Sequence, residues 1–154
     1  GVYSGQRFSD YTVFKKSDVV NGRIEKRAEK TDYKSYIPIS KKLEKLLDKW
    51  EWRLPKVSNQ KFNQNIKEVC RIAGFTKEVT KTTYIGNRKI ESIEPFYKRV
   101  GSHTARRTFI TLASESNVPD HIIMGICGIR DSKTLKTYKK FNPDVLENYV
   151  DTIF

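Results

Sequence analysis

Ser102-His103-Thr104-Ala105-Arg106-Arg107 and, after an apolar stretch and Gly128, Ser132-Lys133-Thr134-Leu135-Lys136-Thr137-Tyr138 are the segments whose reading decides the rest. Residues three apart share one face of a helix, so His103 and Arg106 point the same way. Between 106 and 138 the chain has room for two helices and a return, enough to bring a phenol back to a cationic patch. A phenol with a pKa of about 10 is a poor nucleophile at neutral pH. Fixed cations beside it would make it competent to attack a phosphodiester.

The chain around these segments is long enough, at 154 residues, for one domain with a real core. Its apolar content excludes wholesale disorder. The formal charge of +12 points to a polyanionic partner, nucleic acid or an anionic membrane surface. No apolar run approaches the roughly 18 residues of a spanning helix, and there is no signal peptide. The cations are spread along the whole chain instead of lining one amphipathic helix, which favours nucleic acid as the partner of a cytoplasmic, intracellular protein. Cys70 and Cys127 sit in apolar helical patterns and read as buried free thiols. The carboxylates are scattered and no Cys/His cluster exists, so no metal or cofactor is argued for.

In chain order, Phe8, Tyr11 and Phe14 recur at helical spacing, giving a short helix with Arg7 and Asp10 near its start. Asn21-Gly22 is a turn. From Arg23 the pattern has period two, with Ile24, Lys26, Ala28 and Lys30 on one face; after a polar turn at 31–34 the return strand is Ser35 to Ile39, with Pro38 marking an edge. So charged a hairpin is not expected at the buried centre of a sheet. Ser40 caps a helix with Leu43, Leu46, Leu47 and Trp50 inward. Ser58 caps a second with Phe62, Ile66, Val69, Cys70 and Ala73 inward, closed by Gly74. Thr76 to Ile93 alternates weakly around Gly86-Asn87, a hairpin turn. Ser102 caps the helix that turns Phe109, Leu112 and Ala113 inward. Pro119 opens the next (Ile122, Ile123, Ile126), Ser132 to Lys140 is a short basic helix, and Val145, Leu146, Tyr149, Val150 and Ile153 form an apolar stripe. His121 reads as part of a polar face. The fold class is therefore α+β, mainly helical, with one or two small antiparallel sheets.

Four elements in order resemble the tyrosine recombinases, the phage-integrase family, over essentially the whole chain. Tyr3 to Asp10 resembles that family's first arginine box, in which a turn glycine precedes the arginine and an acidic residue follows. Lys30-Thr31, ahead of Ile37-Pro38-Ile39, resembles its lysine hairpin. Ser102 to Phe109 resembles the second box, and Ser132 to Tyr138 the nucleophile segment; the intervals are similar too. The resemblance implies a catalytic-domain helical core with a small sheet carrying the lysine. It also implies that residues 1–154 are a catalytic domain without the N-terminal domain that clamps DNA.

By the same resemblance, Tyr138 attacks the scissile phosphate of double-stranded DNA and leaves a 3′-phosphotyrosyl link. Arg7 and Arg106 hold the non-bridging oxygens, Lys30 protonates the departing 5′-oxygen, and His103 moves the nucleophile's proton. Asp10 orients the arginines. Arg107, Lys133, Lys136, Lys139 and Lys140 are candidates for contacts with the DNA backbone, and the stripe from Val145 to Ile153 for self-association. One position departs from the pattern: the family usually places a donor His or Trp one residue after the glycine, and here Gly128 is followed by Ile129. Loss of such a donor typically costs about 10²–10³-fold in rate. Arg130, next along, is a candidate substitute. The alternatives are a DNA-binding module with impaired catalysis and a type IB topoisomerase-like enzyme. The target sequence is not legible, because contacts to phosphates position a protein without specifying bases.

Overall fold

A computed structural model describes residues 1–28 and 32–139. Lys30, Lys140 and the stripe from Val145 to Ile153 lie outside the described residues. The elements are α1 (Phe8–Tyr11), β1 (Val19–Val20), β2 (Arg23–Arg27), β3 (Lys34–Pro38), α2 (Lys41–Lys49), α3 (Asn59–Ile72), β4 (Glu78–Ile85), β5 (Arg88–Pro95), α4 (Ser102–Glu115), α5 (Asp120–Cys127) and α6 (Ser132–Lys136), with 3-10 turns at Lys16–Asp18 and Phe96–Arg99. The expected mixed, mainly helical architecture is what the chain adopts. No helix among the described residues is long and apolar enough to cross a membrane.

The first sheet has three antiparallel strands in the order β1-β2-β3. Asn21 and Gly22 both take positive φ, +49° and +75°, the pairing that suits a two-residue turn between right-twisted strands. That turn adds β1, which is too short to show a period of its own. The charged strand β2 is thus the central one, but only Ile24 of it is buried, so it is not a buried sheet centre. Ile24 and Ile37 face each other across β2 and β3, both fully buried, and their burial is worth roughly 1.5–3 kcal/mol each. They form the first core with Phe14, Leu43 and Leu47. The charged side chains of β2 stay on the other face or at its margin, where Glu25 pairs with Lys34 and Arg23. Pro38 does lie on an edge strand.

The second core consists of Ile110, Ile123, Cys127, Ile129 and Leu135, so it is carried by α4, α5 and α6. β3 connects the two: Ser35 is buried against Gly128, which ends α5 in the left-handed conformation at φ +63°. A Cβ on Gly128 would collide with the Ser35 hydroxyl, so glycine is needed for space as well as for φ.

Ser40 and Ser58 cap α2 and α3 as expected, each accepting from the backbone N–H three residues on. The inward faces are only partly as expected. Leu43 and Leu47 are buried, but Leu46 and Trp50 are exposed, and α3 buries no residue fully, with Val69 58% exposed. Leu112 is likewise exposed on α4, where Ile110 takes the core position. The second hairpin turns at Gly86-Asn87, with β4 and β5 paired in eight rungs. Both of its faces are largely solvent-exposed.

Candidate active site

The site is assembled where the start of the chain, α4 and the end of α5 meet. The passage before α1 is buried at Ser4, Gly5 and Gln6 and turns at Gly5, whose φ is +66°. A Cβ there would lie 2.6 Å from the Phe109 ring and 2.8 Å from the Cys127 sulfur. This close approach puts the Gly5 carbonyl in reach of α4. Arg106, wholly buried, donates from Nη1 to Gly5 O at 3.0 Å and to Cys127 O at 2.6 Å. Both hydrogens of Nη1 are thereby used. Nε and Nη2 have no hydrogen-bond partner among the described residues. These two nitrogens form the side-on fork of a guanidinium, the edge that matches two oxygens of a tetrahedral anion.

Burial pushes the Arg106 guanidinium below its ordinary value, and the neighbouring Arg7 charge adds to this, while Cys127 and Tyr138 oppose it. An arginine still stays charged. Its full charge is therefore held in the interior, fixed by two carbonyls. Arg7, at the head of α1, is 24% exposed and forms an ion pair with Asp10 at 3.7 Å. Its Nη1 makes no hydrogen bond among the described residues. Cys127 is a poor candidate for chemistry, since burial pushes its thiol up to about 11 against the pull of Arg106 and Arg7.

His103 and Tyr138 meet across 35 residues, with Nε2 and Oη 2.9 Å apart. Burial, then the charges of Arg106, Arg107 and Arg7, hold the imidazole below its ordinary value of 6.5. The ring is therefore neutral at pH 7, and its Nε2 can accept the phenolic proton. Tyr138 lies two residues past the end of α6, so it is not carried on that helix as expected; its ring packs against the second core. A cleft of about 300 Å³ lined by Arg7, Ser9, Asn59, Ser102 and His103 opens at this point.

The N-terminus of α4 is held from outside. Gly101, not Ser102, occupies the cap position, with its N–H donating to Thr104 Oγ1 at 3.0 Å. Ser102 N–H donates to Asn63 Oδ1 at 2.7 Å, and Asn63 in turn donates to Asn59. No local signal could have marked Asn63, which is 39 residues from the N–H it receives. The carbonyls of Gly5 and Cys127 were equally hidden, because main-chain acceptors carry no side-chain signature.

The structure thus brings together Arg7, Asp10, His103, Arg106 and Tyr138. Lys30 falls in the undescribed residues 29–31, but the hairpin on either side of it is placed. Ala28 N–H donates to Tyr33 O, Asp32 N–H donates to Ala28 O, and Tyr33 O would be 3.9 Å from a Cβ on Gly128. That end of the hairpin abuts the turn whose preceding carbonyl holds Arg106. Ile129 is 2% exposed and packed in the second core, so it contributes no donor; Arg130 beside it is exposed. Arg107 lies outside the main cleft, beside Arg99 and Thr104 in a separate hollow. Lys133 and Lys136 are exposed on α6, Lys139 pairs with Asp120, and His121 is on the exposed side of α5.

Removal of the Arg106 charge should separate stability from chemistry. In Arg106→Met the carbonyls of Gly5 and Cys127 lose their donor, at about 1–3 kcal/mol. Release of a buried charge with unfilled donors offsets much of this, as replacement of buried charges by apolar groups often does. The expected change in unfolding free energy is about 1 kcal/mol or less in a urea titration, and a loss several times larger would refute the balance.

No family model matches the chain, and no curated protein is similar to it in sequence. Solved structures are similar in fold. XerA recombinase superposes with a TM-score of 0.68 at 18% identity, over 98% of this chain and 54% of its own. The XerH site-specific recombinase in a post-cleavage complex with a palindromic difH substrate gives 0.66 at 17%, over 97% of this chain and 42% of its own. A lambda integrase dimer bound to a COC′ core site gives 0.62 at 18%, over 92% and 53%. The chain spans about half the length of these proteins. Its fold is the one that these recombinase and integrase structures share over the matched part.

Proposed function

We propose that this chain is the catalytic domain of a site-specific DNA recombinase or integrase that cleaves and rejoins strands through a 3′-phosphotyrosyl intermediate. The observation that carries the reading is the Tyr138 hydroxyl, 2.9 Å from a His103 nitrogen and beside the buried Arg106 fork. Two of the similar solved structures are complexes with DNA sites, which supports duplex DNA as the partner and an intracellular place of action.

In this reading the Arg106 fork takes two non-bridging oxygens of the scissile phosphate, and Arg7, oriented by Asp10, takes a third contact. Charge grows on those oxygens in the transition state, so fixed guanidinium donors lower the barrier without reorganising. Tyr138 Oη forms the new P–O bond, its proton passing to neutral His103, and the bond from phosphorus to the 5′-oxygen breaks. Lys30 returns a proton to that oxygen. One phosphodiester replaces another, so rejoining to a new strand needs no external energy source. Lys133, Lys136 and Arg107 meet flanking phosphates, and Val145 to Ile153 docks on a second copy.

The test is a nicked suicide duplex incubated with the full-length protein. A band shifted in a denaturing gel is expected, and tryptic digestion should leave the nucleotide on the peptide Thr137-Tyr138-Lys139. A nucleotide on any other peptide would reject the assignment. The topoisomerase-like alternative predicts relaxation without strand exchange between two duplexes. The binding-module alternative draws on buried Ile129 and predicts DNA binding with no adduct.

His103 sets the pH dependence. Protonated imidazole cannot accept the phenolic proton, and its pKa lies below 6.5. Cleavage should therefore fall as the pH drops, with the midpoint of the loss below pH 6.5. A decline centred above pH 6.5 would show that His103 does not play this part.

A further inference from the structure

A second concave surface, sharing no lining residue with the Arg7–His103 cleft, lies between the passage after α1 and the loop after α2. Its volume is about 800 Å³, within the size range of ligand sites. Lys15, Lys16, Lys26, Arg53 and Lys56 line it, against one acidic residue, Glu51. Lys26 is paired with Asp18. Lys15, Lys16, Arg53 and Lys56 make no side-chain ion pair among the described residues. Like charges gathered around a hollow repel one another, and a polyanion in the hollow relieves that repulsion.

The loop that forms one wall is strained. Glu51 and Trp52 are consecutive non-glycine residues at φ +48° and +58°. Each such residue costs of order 1–3 kcal/mol and persists only where its surroundings dictate it. Here Trp52 N–H donates to Leu47 O at 2.8 Å, the indole N–H donates to Asp48 at 3.2 Å, and the ring leans half-buried on the first core with Leu54. Trp52 so held both packs on the first core and lines the cationic hollow.

We infer that this hollow binds a single strand of nucleic acid, whose phosphates meet the lysines and arginine and whose bases stack on Trp52. Cations along a groove with an aromatic platform are the general means of holding single strands without regard to sequence. An acidic peptide would meet the charges but gain nothing from a flat π-face. A stacked, stiff duplex cannot enter a hollow of this size. The site goes beyond the cleavage reading, since it touches none of the groups assigned to that reaction.

The experiment uses full-length protein carrying Trp50→Phe, which leaves Trp52 as the single tryptophan of this sequence; position 50 is 43% exposed and tolerates the change. Oligo(dT) of twelve nucleotides should quench its fluorescence saturably, while a duplex of the same length and a decaglutamate peptide should not. Lys15→Glu with Lys56→Glu should weaken oligo(dT) binding about tenfold or more, and reduce the slope of log K against log salt by about 1.4. Binding and cleavage of the duplex substrate should be unchanged in that variant. Absence of quenching overturns the proposal. Equal quenching by decaglutamate reassigns the hollow to acidic peptides, and loss of duplex affinity in the same proportion makes it part of one duplex surface; both overturn the proposal. Failure of Tyr138 to form an adduct would leave all these readings intact, so the two proposals fall separately.

Discussion

Tyr138→Phe is expected to abolish the covalent protein–DNA adduct while leaving the fold and duplex affinity as they are. The substitution removes one oxygen. The ring remains, and it is the ring that packs against the second core. What is lost structurally is a single hydrogen bond to His103 at the surface, worth about 0.5–1.5 kcal/mol. At this chain length that is a fall of a few degrees in Tm, at about 2–4 °C per kcal/mol. The chemical loss is total in this scheme, because among the described residues no other nucleophile is hydrogen-bonded to His103. The Tyr138→Phe protein should therefore shift a duplex in a native gel and give no band in a denaturing one. A residual adduct would identify a different nucleophile and remove the basis for the whole assignment.

Gly5→Ala should be strongly damaging for a change of one methyl group. At φ +66° a side chain costs about 1–2 kcal/mol. The new Cβ would also stand 2.6 Å from the Phe109 ring and 2.8 Å from the Cys127 sulfur, both parts of packed elements, and overpacking of this kind costs about 1–3 kcal/mol more. A sum of about 2–5 kcal/mol corresponds to a drop in Tm of about 4–20 °C. Relief of the clash must move the carbonyl that receives Arg106, so cleavage should fall even well below the new Tm. Gly22→Ala is the control: φ is +75° but nothing lies within 4 Å, so only the conformational part is lost and cleavage persists. Equal stability losses in the two variants would mean that the close approach at Gly5 carries no weight.

Features set by neighbours in sequence could be read directly. Asn21-Gly22 and Gly86-Asn87 turn where their φ preferences require, Ser40 and Ser58 reach only three residues ahead, and Gly128 ends its helix in the left-handed conformation. Periodicity also gave each helix an apolar face, but not the width of the face that the chain itself covers. Leu46, Val69 and Leu112 fit the helical pattern and are exposed. The burial of Arg106 was illegible for a different reason: a charged side chain reads as surface, and the carbonyls that hold it belong to residues 5 and 127. Ile129 read as a missing donor; in the fold it is a core residue, which explains why an apolar side chain suits that position. Tyr138 stands beside His103, though past α6 and not on it, because the helix ends two residues too early to carry it.

The two carbonyl bonds of Arg106 have a consequence for how the molecule reaches its working form. They join positions 5, 106 and 127, and the first spans 101 residues. Contacts so distant in sequence close late in folding, since the entropy of the intervening chain must be spent first. The guanidinium fork is therefore aimed only in a nearly completed molecule, and under the proposed function a half-folded chain would carry no organised means of cutting DNA. Slow unfolding, more than rapid folding, is then the property that these bonds should govern.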